Sequence, residues 1–185
     1  MDKENPSKEP PIVEVIARGV LVHRGSVLIC RDRKRGHAFL PGGHVEFGET
    51  AAAALEREMS EELGVSLRSG RFLGVCEASF VQASRRGRRR HHEINLVFEL
   101  VAPKSAVRAA SRARGKSGGG ATDWLRGLAS IEAKIEFIWV PLGHLRGRRP
   151  RLRLLPPGLT PLIVPAPAPG SANRKQPGIF CSDWR

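Results

Sequence analysis

The segment from Thr50 to Gly64 constrains the fold more than any other part of the sequence. Alanine, leucine, glutamate, arginine and methionine dominate it, and these residues favour helix. Thr50 is a suitable N-cap, and Gly64 stands where a helix commonly ends in the left-handed conformation. Leu55, Met59 and Leu63 recur every four residues and form an apolar stripe. The sequence therefore predicts a helix that begins at Thr50, ends at Leu63 and docks by one face on a sheet.

Strand-like stretches surround the predicted helix. Each is an apolar or alternating run bounded by turn residues, and the main ones lie at 12–22, 27–30, 94–101 and 131–140. Shorter apolar stretches lie around 72–76 and Phe80. Leu142 to Leu145 could begin a second helix, which Gly147 and Pro150 would interrupt early.

Three segments lack a sustained apolar period. Residues 1–11 are predicted to form a flexible N-terminus, and residues 103–121, which contain three consecutive glycines near their end, a mobile basic insertion. The high proline content after 156 predicts an extended tail over 161–185. The folded domain is then expected to span 12–160.

The formal net charge of +13 is unevenly distributed. Residues 1–83 carry 11 basic and 12 acidic residues, whereas residues 84–185 carry 20 basic and 6 acidic ones. The positive charge is concentrated in 85–90, 104–116 and 146–153, whose composition is typical of exposed segments. His91 and His92 follow the first of these runs and are expected to lie in the same basic loop. Two interpretations stay open, namely solvated loops and a surface that contacts a polyanion.

Other sequence features exclude several classes of protein. No apolar run reaches the ~18 residues that a membrane span needs, and the N-terminus lacks the apolar core of a signal peptide. Three cysteines, Cys30, Cys76 and Cys181, have no CxxC spacing and fit neither a disulfide framework nor a zinc site. Cys30 and Cys76 are expected to be small core residues. The sequence predicts a soluble cytoplasmic protein without a membrane partner.

Three glutamates of the predicted helix form the candidate chemical site. Glu58, Glu61 and Glu62 stand at i, i+3 and i+4, so they fall within one arc of about 100°. A helix tolerates three like charges there if the arc is solvated or if it binds a cation. Carboxylates without histidine or cysteine suit Mg²⁺, or Mn²⁺ in its place, better than zinc. These residues alone leave both readings open.

The segment from Gly43 to Val65 resembles the Nudix box, the signature of the Nudix hydrolase family. The signature requires nine residues at fixed spacing, and every one is present. They are Gly43, Glu49, Arg57, Glu58, Met59, Glu61, Glu62, Gly64 and Val65. Pro41 and Gly42 precede the box, as is usual in the family. The box does not identify a subfamily.

The resemblance implies a fold and a reaction. The fold is an α/β/α sandwich with a central mixed sheet. The reaction is metal-dependent hydrolysis of a pyrophosphate bond in a nucleoside diphosphate linked to another moiety. By family correspondence, Glu58 and Glu62 ligate the metal, and Glu61 is a further ligand or orients the attacking water. The backbone carbonyl of Gly43 or Gly42 completes the ligand set.

Two further assignments follow from the resemblance. Arg57 and Glu49 are expected to pair and hold the loop of the box against its helix. Family members often recruit a carboxylate outside the box to deprotonate water, and Glu93 is the candidate. It is predicted to lie at the start of a strand over 92–100, with Asn95 on the same face, opposite the apolar side chains. The alternative for Glu93 is an ordinary surface glutamate.

The residues that the sequence lacks reduce the number of candidate substrate classes. Val81, sixteen residues past the box, stands where ADP-ribose enzymes have proline. Tyrosine, which dinucleoside polyphosphate enzymes use, is absent, and so is the SQPWPFPxS array of the NADH enzymes. Elimination favours a nucleoside triphosphate, including an oxidised one such as 8-oxo-dGTP. One alternative is an enzyme that acts on the 5′ end of RNA and grips its backbone with the Arg-rich segments. Another is a non-catalytic nucleotide sensor, which the complete box disfavours.

Overall fold

The computed structural model describes residues 10–84, 87–102, 133–146, 151–164 and 178–183. The predicted basic insertion at 103–121 lies outside these residues, as do most of the predicted N-terminal segment and most of the predicted tail. Within the described chain no helix is long and apolar enough to cross a membrane.

The described elements are nine strands, two α-helices and two 3-10 turns. The strands are β1 Ile12–Val20, β2 Val22–His23, β3 Ser26–Asp32, β4 Ala38–Phe39, β5 Gly42–His44, β6 Arg68–Ser84, β7 Gly87–Val101, β8 Ile135–Pro141 and β9 Gly178–Asp183. The helices are α1 Ala51–Leu63 and the short α2 Thr160–Ile163, and the 3-10 turns are Leu142–Leu145 and Pro157–Leu159.

Two sheets form the centre of the molecule. The larger has the order β5-β1-β7-β6-β9, in which β1 pairs with β7 and β6 with β9 in parallel, while the other neighbours are antiparallel. The smaller is antiparallel and joins β2, β3, β4 and β8. The larger sheet is therefore mixed, as predicted.

Side chains pack on both faces of the sheets, because alternate residues of each strand point to opposite sides. One cluster contains Ala17, Leu28 and Leu100 under the α1 residues Leu55 and Met59. The second cluster lies on the other side, where the β3 neighbours of Leu28 and the C-terminal segment meet; it includes Val27, Ile29, Val97, Leu159 and Ile163. The predicted α/β sandwich is confirmed, with α1 over one face and the short C-terminal helices over the other.

The two longest strands differ from the sequence-based expectation. β6 and β7 form one long antiparallel hairpin, whose register runs from Arg68 opposite Val101 to Ser84 opposite Gly87. The predicted basic loop is therefore wrong for residues 87–92, which are paired strand. Strand pairing uses backbone groups only. A run of charged residues at the exposed end of a hairpin can therefore pair as a strand while its side chains point alternately to the two faces.

The C-terminal segment also differs from the predicted extended tail. Leu159 is fully buried and Ile163 is 8% exposed, both against the second cluster. Gly178–Asp183 pairs with β6 as an edge strand. Pro157 and Pro161 stand in the first turn of the 3-10 turn and of α2, where a missing N–H costs little. A high proline content in this segment therefore indicates the starts of helices as well as stretches without helix.

Candidate functional site

Helix α1 begins and ends at the residues that the sequence indicates. Thr50 is the N-cap, and its Oγ1 accepts a hydrogen bond from the backbone N–H of Ala53 at 3.2 Å. Gly64 has φ 65° and donates its N–H to the carbonyl of Ser60. A residue with a side chain would be strained in that left-handed conformation. The two caps fix the length of the helix and hence the position of its glutamates.

The three glutamates of α1 lie in three different environments. Glu61 is well exposed, with 61% of its side chain accessible, and Glu58 is mostly covered at 18%. Glu62 is 7% exposed and belongs to the buried face of α1 with Leu55 and Met59. The expectation of one arc beside the apolar stripe is thus refined. The carboxylates follow a gradient from solvent to core.

Gly43 brings the backbone of β5 against Glu58. A Cβ at position 43 would lie 2.3 Å from Glu58 Cδ, so a larger residue would displace that carboxylate. Gly42 has φ 127°, and a Cβ there would lie 2.0 Å from the carbonyl oxygen of Ala17. β5 can therefore approach both α1 and β1 only because these two positions are glycine. The structure brings Gly43 and Glu58 together, as the box predicts.

Arg57 connects the loop of the box with its helix. Its Nη2 donates to Glu49 Oε1 at 2.8 Å and to the carbonyl of His44 at 3.0 Å, and its Nε donates to Glu49 Oε2 at 3.3 Å. Its Nη1 donates to Glu58 Oε1 at 3.0 Å and to Glu61 Oε2 at 3.4 Å. One guanidinium thus contacts both ends of the box and two of its three helix carboxylates.

The same contacts shift the pKa values of Arg57 and Glu49. The hydrogen bond to Glu49 is the largest cause that raises the pKa of Arg57 above its ordinary value; burial opposes it, and the hydrogen bond to Glu58 adds to the rise. The hydrogen bond from Arg57, helped by the N–H of Glu46, lowers the pKa of Glu49. Both groups are therefore charged at neutral pH, and the loop is held by a bidentate ion pair.

The donor set of the box suits a hard divalent cation. Three carboxylates and the carbonyl oxygens of β5 supply oxygen ligands only, the kind that Mg²⁺ prefers. In the described chain no three acidic, histidine or cysteine side chains converge closely enough to hold an ion as they stand. Glu58 instead contacts Arg57. Rotation of the Glu58 and Glu61 side chains away from Arg57 would free their oxygens for a cation, so the residues fit the group chemically.

Glu93 lies elsewhere than expected. It is in the middle of β7, which begins at Gly87, so its predicted place at a strand start is wrong. Glu93 Oε2 accepts a hydrogen bond from Asn95 Nδ2 at 3.4 Å, and both point to the face away from α1. Gly43 and its neighbour Ala17 belong to the opposite face. The structure does not bring Glu93 together with the box carboxylates on one face.

A polar network beside Glu93 was missed in the sequence. Asn95 is fully buried and accepts from Arg18 Nε at 3.1 Å. The Arg18 Nη1 donates to the carbonyls of Leu40 and Gly42, directly before Gly43. A polar residue within the apolar alternation of β1 and another within β7 were the available signals, but only the strand register shows that they meet.

A second missed group joins β1, β5 and β7. Glu14 Oε2 lies 2.6 Å from His91 Nδ1, and Glu14 Oε1 lies 2.9 Å from His44 Nε2. Burial raises the pKa of Glu14, but the hydrogen bonds to His91 and His44 outweigh that effect and lower it. Glu14 thus connects His44, the residue after Gly43, to β1 and β7.

Comparison with known proteins decides the family. The family model described as the NUDIX domain matches residues 13–154. The chain belongs to the Nudix family. This match confirms the predicted family. At the level of the family, it also confirms the prediction that the protein is a Nudix pyrophosphohydrolase. Enzymes of this family generally need a divalent metal ion.

Solved structures give weaker similarities. A MutT Nudix hydrolase from Burkholderia pseudomallei is 21% identical, with a TM-score of 0.45 over 75% of this chain and 90% of that one. A MutT protein from Methanosarcina mazei Go1 is 20% identical, with a TM-score of 0.48 over 77% and 88%. An ADP-ribose pyrophosphatase from Streptococcus suis 89-1591 is 13% identical, with a TM-score of 0.46 over 91% and 98%. No curated protein matches. Similarities of this size do not distinguish substrates.

Proposed function

We propose that this Nudix enzyme hydrolyses a nucleoside triphosphate, including an oxidised one, in the presence of Mg²⁺ or Mn²⁺. The observation that carries the proposal is the packing of Glu58 against Gly43, next to Arg57, in a box with every signature residue present. An isolated acidic helix face would not need a glycine whose Cβ would displace one of its carboxylates.

The glutamates of the box, Arg57 and Gly43 have parts in the proposed reaction. Glu58 and Glu62 would hold the metal, with Glu61 and the carbonyl of Gly43 as further oxygen ligands. A bound divalent ion neutralises charge on the phosphoryl group and lowers the pKa of a bound water. Arg57 and Glu49 would position the loop through their bidentate pair. Glu61 would orient the water. Glu93, which lies on the opposite sheet face from Gly43, stays a candidate base outside the box that its substitution tests.

The location of the Glu62 side chain supports a metal-binding role. A carboxylate that is 7% exposed among apolar side chains is costly unless a positive charge or hydrogen bonds compensate it. The guanidinium of Arg57 contacts Glu58 and Glu61. A cation between α1 and β5 would favour the charged form of this buried carboxylate and would also draw Glu58 from Arg57.

The substrate assignment depends on elimination and on the environment of Val81. Val81 is 45% exposed in β6, at the position where ADP-ribose enzymes have proline. A small nucleotide is accordingly the first substrate class to test. Cys30 and Cys76 are buried and form no disulfide among the described residues, which supports a reducing compartment that we take to be the cytoplasm. We propose that the Nudix domain comprises the expected 12–160 together with the residues up to Val164, because Ile163 packs in the second cluster, and that 1–11 lies outside it.

A panel of nucleotides tests the proposal. Canonical and oxidised nucleoside triphosphates, ADP-ribose, dinucleoside polyphosphates and NADH are each incubated with the enzyme and Mg²⁺, and the products are identified by mass. Release of pyrophosphate and a nucleoside monophosphate, abolished by a chelator and restored by Mn²⁺, is expected for a triphosphate. Turnover confined to ADP-ribose, or persisting in the chelator, would overturn the substrate or the metal assignment.

A further inference from the structure

The end of the β6–β7 hairpin forms a cleft that the proposed reaction does not use. The cleft has a volume of about 650 Å³ and lies over the first residues of β1. We call this site the hairpin cleft and define it by six of its lining residues, Val13, Ser79, Val81, Arg88, Arg90 and His92.

The strand register places these side chains on one face. Arg90 pairs with Val81, and His92 pairs with Ser79 on one side and with Val13 on the other. Arg88, Arg90 and His92 alternate along β7, so they repeat at about 6.6 Å, twice the rise per strand residue. Arg89 points to the other face, where its Nε donates to the carbonyl of Pro10 at 3.0 Å.

The positive charge of the hairpin cleft is not compensated within the described chain. Neither Arg88 nor Arg90 pairs with a carboxylate of the residues that the structure describes, whereas Arg57 in the box contacts Glu49, Glu58 and Glu61. The acidic contact in the cleft is Glu77, whose Oε2 lies 3.7 Å from His92 Nε2. Among the described residues, nothing acidic pairs with these two guanidinium groups.

The floor between these cations is apolar and open. Val13 is 68% exposed and Val81 is 45% exposed. Two guanidinium groups about 6.6 Å apart over an apolar floor fit a polymer with repeating anions and apolar faces between them. A single-stranded nucleic acid has this chemistry, since its phosphates contact the cations and its bases and sugars contact the floor. A small anion would need donors that converge on one point instead.

The side chains that define the hairpin cleft lie on the same sheet face as Gly43 of the box. His92 lies four residues before Leu96 on β7, a distance of about 13 Å along the strand. Leu96 pairs with Ala17, which pairs with Gly43, the residue against Glu58. A strand of a few nucleotides can span from the cleft to the box along this face.

We propose that the hairpin cleft binds the phosphate backbone of a single-stranded nucleic acid, with the 5′ end of the strand directed to the box. Binding by the cleft is independent of the proposed hydrolysis. The direction of the strand rests on that hydrolysis, because the 5′ phosphates are the pyrophosphate that the box would cleave.

Binding is tested first with a probe that the box cannot cleave. An oligouridine of about twelve nucleotides with a 5′ hydroxyl covers a typical site size. Its Kd is measured by fluorescence anisotropy over a range of salt for the full chain and for R88Q/R90Q. The charge-matched control is K34Q/R35Q, in the exposed turn between β3 and β4. A second control, R89Q, changes the opposite face of the same strand.

The expected result is specific to the cleft. R88Q/R90Q should raise Kd by about tenfold and reduce the salt slope by about 1.4, which is two phosphate contacts on a single strand. K34Q/R35Q and R89Q should stay within about twofold of the parent. Equal losses in the double variants would show a general charge effect and overturn the proposal. Loss only toward anionic lipid vesicles, with oligouridine binding unchanged, would replace it with a membrane surface.

A second measurement separates this proposal from the proposed function. Hydrolysis of a 5′-triphosphorylated oligouridine and of UTP is compared in the parent and in R88Q/R90Q. The variant should lose kcat/KM on the oligonucleotide about tenfold and keep its turnover of UTP, which also shows that it is folded. Intact UTP turnover with unchanged oligonucleotide binding would overturn the cleft alone. Absence of turnover on both substrates in the parent would overturn the hydrolysis alone.

Discussion

The box and the hairpin cleft are two charged regions on one sheet face, and they differ in whether their charged groups have partners within the described chain. In the box, Arg57 contacts carboxylates from the loop and from the helix, so these carboxylates have a positive partner inside the molecule. In the hairpin cleft, Arg88 and Arg90 have no acidic partner among the described residues. Matched charges fix a geometry, whereas unmatched charges at a surface attract a partner and respond to salt. The same side-chain chemistry therefore supports a rigid site in one region and a binding surface in the other.

The largest expected effect tests the box. Glu58→Gln keeps the shape of the side chain but removes the charge that would face the metal. We expect kcat to fall by on the order of 10²-fold or more, as for the loss of one preorganised electrostatic group. Steady-state kinetics at saturating Mg²⁺ measures this.

A control variant lies on the same helix. Glu56 faces away from Gly43, and its Oε1 accepts hydrogen bonds from the N–H and Oγ of Ser69 at 2.9 Å. Glu56→Gln should keep most of the turnover. Activity of Glu58→Gln within threefold of the parent would remove Glu58 from the metal site.

Glu93→Gln tests whether the opposite sheet face takes part in the reaction. If Glu93 deprotonates the water, kcat should fall by about a hundredfold, the lower range for general base catalysis, with little change in KM. The basic limb of the pH profile should move as well. Glu99 serves as the control, since it lies further along β7 and pairs with Arg71 at 2.5 Å. An unchanged kcat in Glu93→Gln from pH 6 to 10 would leave Glu93 with a structural contact to Asn95.

Gly43→Ala tests the close approach in the box. The added Cβ should push the Glu58 carboxylate aside, because the two would otherwise lie 2.3 Å apart. We expect a loss of about tenfold in Mg²⁺ affinity, the scale of a disturbed ligand support. Metal titration of turnover measures it, with Gly143→Ala as a control at a position where an added Cβ meets nothing within 4 Å. Equal Mg²⁺ dependence in both variants would contradict the packing argument.

Glu49→Gln tests the loop through pH. The pKa of Glu49 is lowered in the folded protein, so its ion pair with Arg57 stabilises the fold above the ordinary glutamate pKa of about 4.3 and ceases to do so as pH falls through the lowered value. The parent should lose more stability than Glu49→Gln between pH 6 and pH 3. Thermal unfolding at a series of pH values reports the difference. Parallel curves would show that the pair contributes nothing to stability.

The smallest expected effect concerns the segment between β7 and β8. Its sequence lacks an apolar period, and loop closure costs only about 0.6 kcal/mol per doubling of length. Deleting residues 104–120 should therefore leave mononucleotide hydrolysis nearly unchanged. A tenfold fall in kcat/KM, or loss of soluble expression, would show that the segment contributes to the domain.

The local parts of the site were predictable from the sequence, and the long-range parts were not. Thr50, Gly64 and the apolar stripe of α1 act within one helix, so their spacing was sufficient. The burial of Glu62 depends on how α1 rotates against β1 and β5, which spacing alone does not determine. Glu93 and Asn95 were correctly assigned to one face of a strand. The place of Glu93 along that strand was wrong, because pairing with β6 extends β7 through its basic residues.

Leu159 and Ile163 have a practical consequence for anyone who shortens this protein. The family match ends at residue 154, yet these two side chains close the second cluster over Val97 and Ile29. Burying one such side chain is worth about 1.5–3 kcal/mol, a large part of the net stability of a small domain. A truncation at the match boundary would open an apolar surface over the sheet and promote aggregation, whereas one made after Val164 would retain the covering helix. The physical end of the domain is therefore set by its core rather than by the extent of its family signature.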